Sequence, residues 1–289
     1  MRKIYKTKNL SRTHIKIGSR IDNDLTVIDH IGGTRKVDVY LCRSKSLKRI
    51  VVCKVLLPDH RISSTIGDAL IKEGQILQQL RHPNIIEGYG VYLEPYTRIV
   101  IEYLEGQNLN NTFFEGNYSA FSIDDIVGVA LQLSDALSYT HQQGFLHLDV
   151  NPSNIIYCDG NVKLLDFGLA QKFSSNDPLK HRSGTLGYMA PEQTFKKHLA
   201  YATDVFGMGV TFYQLLTEGK LPFEIVKHPD KKGMLKRQSD YESLVQIPSK
   251  LNPDVSHSID MVVMKAICPD IQERFQSPAE FKEALKSAI

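Results

Sequence analysis

The chain has 289 residues, 42% hydrophobic and 23% charged, a balance that excludes wholesale disorder. That length suffices to bury a real core, in one large domain or two modest lobes. The net charge of +3 is too small to imply nucleic-acid binding, and no nucleic-acid partner is expected. None of the four cysteines, Cys42, Cys53, Cys158 and Cys268, is close to another in sequence, so neither a C-x-x-C nor a zinc pattern exists. Cys53 and Cys158 stand in apolar runs and read as small core residues. This usage fits a reducing compartment, and a cytoplasmic location is the expectation. No run approaches the ~18 apolar residues that a membrane helix needs, so no membrane partner is expected within this chain.

In chain order, residues 1–20 are basic and polar and lack the apolar stretch of a signal peptide. They read as a lead-in, ordered only if something docks it. Residues 25–31, 37–43 and 49–56 are rich in Val, Ile and Leu, with Gly32-Gly33 and a Ser/Lys turn between them, which predicts an antiparallel meander. A helix is expected over 66–80, with Ala69, Leu70, Ile76, Leu77 and Leu80 on one face and Pro83 as the stop. Residues 85–92 and 98–102 read as two further strands. After Gly106 the pattern turns helical. Residues 123–143 form a long amphipathic stretch opened by Ser122 as N-cap, with Asp124 and Asp125 in the first turn. Short strands are expected at 155–157 and 162–165, and helices at 203–217, 259–267 and 279–286. Residues 224–257 are charged, with a short helix expected near Tyr241. The predicted class is α+β: a lead-in (1–20), a small lobe with a five-stranded sheet and one helix (21–104), and a mainly α lobe (105–289). The hinge is expected within 102–106.

The segment 145–154 reads Phe-Leu-His-Leu-Asp-Val-Asn-Pro-Ser-Asn. It sets Asp149 and Asn154 between a long helix and a strand. Further on, Asp166 ends an apolar run and precedes Phe167 and Gly168. Asp and Asn oxygens suit a hard cation such as magnesium. An acid in a loop after a strand can meet a phosphate-bound metal. Taken singly, each residue is better explained as a turn or a cap. Their joint order is the informative feature.

That order resembles the eukaryotic-type serine/threonine protein kinases, bacterial members included, over roughly residues 25–288. Seven motifs fall in the family's sequence: Lys54 in Val52-Cys53-Lys54; Glu73; His147-Leu148-Asp149 with Asn154; Asp166-Phe167-Gly168; Ala190-Pro191-Glu192; Asp204; and Arg274. The resemblance implies a bilobal kinase fold that uses ATP with Mg2+ or Mn2+ and acts on a protein carrying Ser or Thr. Lys54 would hold phosphates, oriented by Glu73. Asp149 would accept or orient the proton of the substrate hydroxyl, and Asn154 and Asp166 would hold the metal. The nucleotide pocket would involve Ile31, Gly32, Gly33, Val39, Val52 and Ile156. Ile101 would stand at its back, with the backbone of Glu102, Tyr103 and Leu104 on the adenine edge. His147, Phe167, Gly168, Glu192, Asp204 and Arg274 would be structural, with His147 and Phe167 stacking alongside Leu77. Gly184-Thr185-Leu186-Gly187-Tyr188-Met189 looks like the serine/threonine form of the segment, and Gln193 after Glu192 is similar to bacterial kinases.

The pattern is broken at three places. Of the family's three loop glycines only Gly32 is kept, with Thr34 and Val37 at the other two positions. Arg35 and Lys36 read either as a substitute charge or as a solvated turn. Asn151 stands where the family carries lysine near the transferred phosphoryl group, and can donate one hydrogen bond there. Leu148 replaces an arginine that normally receives a phosphate, so control through Ser174, Ser175, Ser183 or Thr185 as phosphosites is not expected to use it. Val52 and Gly88 also depart, in the direction of a reshaped nucleotide pocket. Alternatives to a kinase are a pseudokinase acting as a nucleotide-binding scaffold or allosteric module, and a small-molecule phosphotransferase, against which Ala190-Pro191-Glu192 argues.

Overall fold

The computed structural model describes residues 15–34, 37–56, 64–114, 121–173, 183–195, 198–223, 241 and 246–289. The chain forms two units, Met1–Glu105 and Gly106–Ile289.

The first unit is built on five strands, β1 (Leu25–Gly33), β2 (Val37–Ser44), β3 (Arg49–Leu56), β4 (Gly88–Tyr92) and β5 (Arg98–Glu102), with α1 (Ser64–Gln79) between β3 and β4. The sheet order is β1-β2-β3-β5-β4 and all neighbours are antiparallel. Period-2 alternation sorts the strands into two faces. Tyr40 and Cys42 of β2 and Val51, Cys53 and Val55 of β3 form a closed core with Leu25, Val27 and Val100. Val39, Leu41, Val52 and Lys54 stand on the other, half-buried face. The expected strand over 85–92 begins only at Gly88. Part of the lead-in docks, through the Ile15 N–H on the Tyr40 hydroxyl at 3.0 Å.

α1 lies close against the sheet because two glycines allow it. A Cβ on Gly74 would stand 2.5 Å from methyls of Ile99 and Val91, and one on Gly88 would stand 2.7 Å from the Leu77 Cβ. The reading of Gly88 as a gap that reshapes the nucleotide pocket is therefore corrected: it is a contact position for α1.

The second unit opens with β6 (Gln107–Asn108), α2 (Leu109–Phe114) and α3 (Ile123–Gln142). Ser122 caps α3 as expected: its hydroxyl accepts the Asp125 N–H, and the Asp125 carboxylate accepts the Ser122 N–H. Then follow β7 (Phe145–Leu146), β8 (Ile155–Cys158), β9 (Asn161–Leu164) and β10 (Gln171–Lys172). They form two small sheets, β10-β7 and β6-β8-β9. The helices α4 (Pro191–Thr194), α5 (Tyr201–Leu216), α6 (His257–Ala266) and α7 (Pro278–Lys286) complete it. α5 is buried from Ala202 to Leu216, which makes it the unit's central helix. Even its polar residues Thr203, Asp204, Thr211 and Gln214 are buried, in keeping with burial on every side.

Cys158 is exposed at the β8–β9 turn, not in the core, because a strand of four residues ends there. Of the short helix expected near Tyr241, only Tyr241 is described. It is buried, with its hydroxyl bonded to Thr194 and to the Met189 carbonyl. No helix among the described residues is long and apolar enough to cross a membrane.

Candidate active site

The loop between β7 and β8 is fixed from below by Asp204, in the first turn of α5. One Asp204 oxygen accepts the Leu148 N–H at 2.7 Å, and the other accepts the His147 N–H at 2.8 Å and faces His141 Nε2 at 2.8 Å. Burial works to raise the Asp204 carboxyl. The hydrogen bond and charge of His141, with help from His147, outweigh it and hold the group below the ordinary carboxylate value. Leu148 adopts φ +66°, a left-handed conformation that strains a leucine by about 1–2 kcal/mol. It persists because both of its peptide groups are held: the N–H by Asp204 and the carbonyl by Gln193 Nε2 at 2.9 Å.

Asp149 follows directly. Its Oδ1 accepts the Thr185 N–H at 2.8 Å and the Thr185 hydroxyl at 2.7 Å, and its Oδ2 accepts Asn154 Nδ2 at 2.9 Å. Asn154 Nδ2 also donates to the Asp149 carbonyl at 2.9 Å. The amide hydrogens of Asn154 are thereby spent on Asp149, which leaves its side-chain oxygen as the acceptor. Leu165 N–H donates to the Asn154 carbonyl at 2.8 Å and His147 Nε2 meets the Leu165 carbonyl at 2.9 Å. Two bonds thereby hold Asp166 beside the loop. Asp166 is itself left-handed, at φ +55°, and accepts the Gly168 N–H. His147 packs edge-on against Phe167, with ring centroids 4.7 Å apart, and its Nδ1 accepts the Asp149 N–H. Both ring nitrogens of His147 thus serve structure.

Asn151 is 2% exposed and fully engaged. Its Nδ2 donates to the Asp149 carbonyl at 2.9 Å and to the Thr185 hydroxyl at 3.2 Å, while its Oδ1 caps the turn Pro152–Asn154 through the Ser153 N–H. The expectation of a hydrogen bond left over for a phosphoryl group is corrected, since both amide hydrogens have partners. Thr185 is likewise no open phosphosite: a phosphate on its hydroxyl would face the Asp149 carboxylate across a hydrogen-bond distance. Ser183 lends its carbonyl to Gln193. Ser174 and Ser175 lie outside the described residues. Leu148 packs with Leu146 and Leu199, flanked by Phe173 and Tyr201, so apolar carbon fills the place of the expected arginine.

The segment leading away from Asp149 is anchored by Glu192. Its carboxylate forms a two-pronged pair with Arg274, at 2.7 and 2.9 Å, and both side chains are buried. Arg274 also donates to the carbonyls of Cys268, Pro269 and Ala202 and lies over the Phe206 ring.

In the first unit, Lys54 Nζ pairs with Glu73 Oε1 at 2.5 Å. Gly32 and Val39, then Val39 and Lys54, are cross-strand partners, as are Val52 and Ile101. Partners share a face, so these expected nucleotide residues line one side of the sheet. Ile31 is half-buried in β1 at a break in the β1–β2 register, Glu102 closes β5, and Tyr103 and Leu104 follow it half-buried. Ile156 is half-buried in β8 of the second unit. Gly32 and Gly33 have φ near +151° and +152°, and a Cβ on Gly33 would stand 2.5 Å from the Val37 carbonyl oxygen. The glycines therefore serve a tight hairpin, in which the Thr34 N–H donates to that same oxygen at 2.7 Å. Arg35 and Lys36 lie outside the described residues.

Sequence reasoning missed three groups. Thr185 and Gln193 reach the loop across 36 and 45 residues, and His141 reaches Asp204 across 63. The only prior signal was the kinase-like spelling that contains Thr185 and Gln193.

Among the described residues no group of three or more His, Cys, Asp and Glu could cage a metal. A carboxylate and a carboxamide oxygen fit magnesium, which binds through few protein oxygens and completes its shell with phosphates and water. A protein-family model described as protein kinase domain matches residues 25–287. A probable serine/threonine-protein kinase of Clostridium perfringens is 27% identical over 91% of this chain and 38% of its own length. Serine/threonine-protein kinase PrkC of Bacillus subtilis is 27% identical over 94% of this chain and 42% of its own. The chain thus spans about two fifths of the length of these curated relatives. The crystal structure of the Mycobacterium tuberculosis PknI kinase domain matches with a TM-score of 0.70 at 22% identity, covering 96% of this chain and 100% of that one. At that identity the likeness establishes the fold.

Proposed function

Because the chain belongs to the protein kinase family, we propose that it transfers the γ-phosphoryl group of ATP to serine or threonine hydroxyls of a protein. The observation that carries this is the oriented carboxylate of Asp149, held by Thr185 and Asn154, with the Asn154 carbonyl bonded to the Leu165 N–H just before Asp166. Asp149 takes or orients the hydroxyl proton, and a positioned base of this kind contributes about 10²–10⁴-fold. Lys54, fixed by Glu73, holds phosphate oxygens. Asn154 and Asp166 supply oxygens for magnesium, which neutralises charge on the phosphates when bound. The Thr185 tie supports the serine/threonine class. A cytoplasmic location fits an ATP-dependent enzyme whose cysteines are free thiols.

Purified chain incubated with labelled ATP, magnesium and a general protein substrate should show transfer that Asp166→Ala abolishes. Equal signals from the two proteins, with manganese as well, would sink the proposal. Asn151 brings no positive charge to the transferring group, so turnover is slow. Asn151→Lys would bring a charge there only by giving up the three hydrogen bonds of a buried residue, so it should lower kcat, and a gain in kcat would show that the missing charge outweighs the joint. A scaffold that only binds nucleotide would instead gain thermal stability from ATP with no transfer in either form.

A further inference from the structure

Gln193 is the third residue of α4 and is 2% exposed. A buried carboxamide needs partners for two donors and an acceptor. Gln193 has all of them: Nε2 donates to the Leu148 carbonyl at 2.9 Å and to the Ser183 carbonyl at 3.2 Å, and Oε1 accepts the Ala190 N–H at 3.0 Å. One side chain thus ties the loop before Asp149 to both ends of the segment 183–190.

We propose that Gln193 is a positioning residue for Asp149, which fixes the strained peptide before the base and locks the segment 183–190 onto it without a phosphate. This rests on the kinase reading above. The Leu148 carbonyl belongs to the peptide that joins Leu148 to Asp149, so its direction sets where the Asp149 side chain starts. That peptide follows a left-handed leucine, a conformation the chain leaves unless held. Asp204 holds the peptide on one side of Leu148 and Gln193 the peptide on the other.

Two further observations fit. Gly184 has φ +133°, and a Cβ there would stand 3.2 Å from the Leu148 oxygen, 3.3 Å from Gln193 Nε2 and 2.6 Å from the Met189 side chain. The glycine keeps open the space that the hydrogen bond occupies. Glu192, the residue before, is locked to Arg274, so Gln193 reaches out from a fixed base. The place beside Leu148 where a cation would grip an activating phosphate is apolar. Gln193 supplies a tie that is always present.

The test uses the full chain with Gln193→Glu and Gln193→Met. Glu keeps the volume and the acceptor but turns a carboxylate toward two carbonyls. Met keeps the volume and loses every polar partner. Each should lower kcat roughly 10- to 100-fold, the scale of a small misplacement of a reacting group. KM for ATP should stay within about twofold, since the interaction lost is not one of ground-state nucleotide binding. Hydrogen exchange should quicken in peptides covering 147–151 and 183–190. Gly184→Ala, which presses on the same bond, should reproduce the kcat loss with Gln193 intact. An unchanged kcat, or a lower thermal midpoint with full activity below it, would overturn the proposal. If wild type transfers no phosphate, the kinase reading fails and the exchange data decide alone: faster exchange upholds the tie, and unchanged exchange overturns it.

Discussion

Leu148 joins a left-handed backbone to an apolar side chain, buried at 4% exposure among Leu146, Leu199, Phe173 and Tyr201. An arginine there would bring an uncompensated charge into carbon. Leu148→Arg is therefore expected to destabilise the chain by at least about 3 kcal/mol, the cost of an unpaired buried charge, and to confer no phosphate-dependent activity. Urea unfolding monitored at constant m-value measures the loss. A variant as stable as wild type would mean that the side chain escapes to water and that the apolar cluster is not closed. Asn151 makes the same point in milder form. It looks from its position like a deficit, yet its three hydrogen bonds make it a structural joint between the base and Thr185.

At the scale of elements, α1 and α4 each hold one functional side chain by means of a neighbour in sequence. In α1 the pair is Glu73 and Gly74. The glycine lets the helix sit close enough for Glu73 to meet Lys54 at 2.5 Å. Gly74→Ala would drive a methyl into Ile99 and Val91, and should cost about 1–3 kcal/mol as overpacking does, with a raised KM for ATP. Glu73→Gln should raise KM for ATP without the packing loss. Thermal unfolding beside KM measurements separates the two, and an unaltered KM in Gly74→Ala would show that α1 does not position Glu73. In α4 the pair is Glu192 and Gln193. Glu192→Gln or Arg274→Met alone should cost about 3–5 kcal/mol, because each strands a buried charge, and the double variant should cost less than their sum. Additive losses in that cycle would show that the two side chains act apart.

For the molecule as a whole, the meander, the long helices and the residues Lys54, Glu73, Asp149, Asn154 and Asp166 were legible because periodicity and motif spacing are local properties of a sequence. What holds Asp149 was not, because Thr185, Gln193 and the His141–Asp204 pair are contacts over 36 to 63 residues that leave no local pattern. Gly88 misled because a missing side chain looks the same whether it opens a pocket or admits a neighbour. Cys158 misled because a short apolar run does not say which end reaches solvent. The Asp204 joint predicts how the whole fold responds to acid. Its carboxyl, though buried, lies below the ordinary value in the folded chain, held there by His141 and the loop amides. A depressed folded value adds stability that is present above the unfolded pKa, about 3.9, and is lost as pH falls through the folded value. Thermal midpoints should therefore fall steeply only below about pH 4. Asp204→Asn has one carbonyl oxygen for two loop amides and turns an N–H toward the other, so it should lower stability by about 3–5 kcal/mol at neutral pH. It should also flatten the acid limb, because the group that titrates is gone. A variant that keeps the wild-type slope below pH 4 would place the acid sensitivity elsewhere and leave Asp204 as a hydrogen-bond acceptor alone.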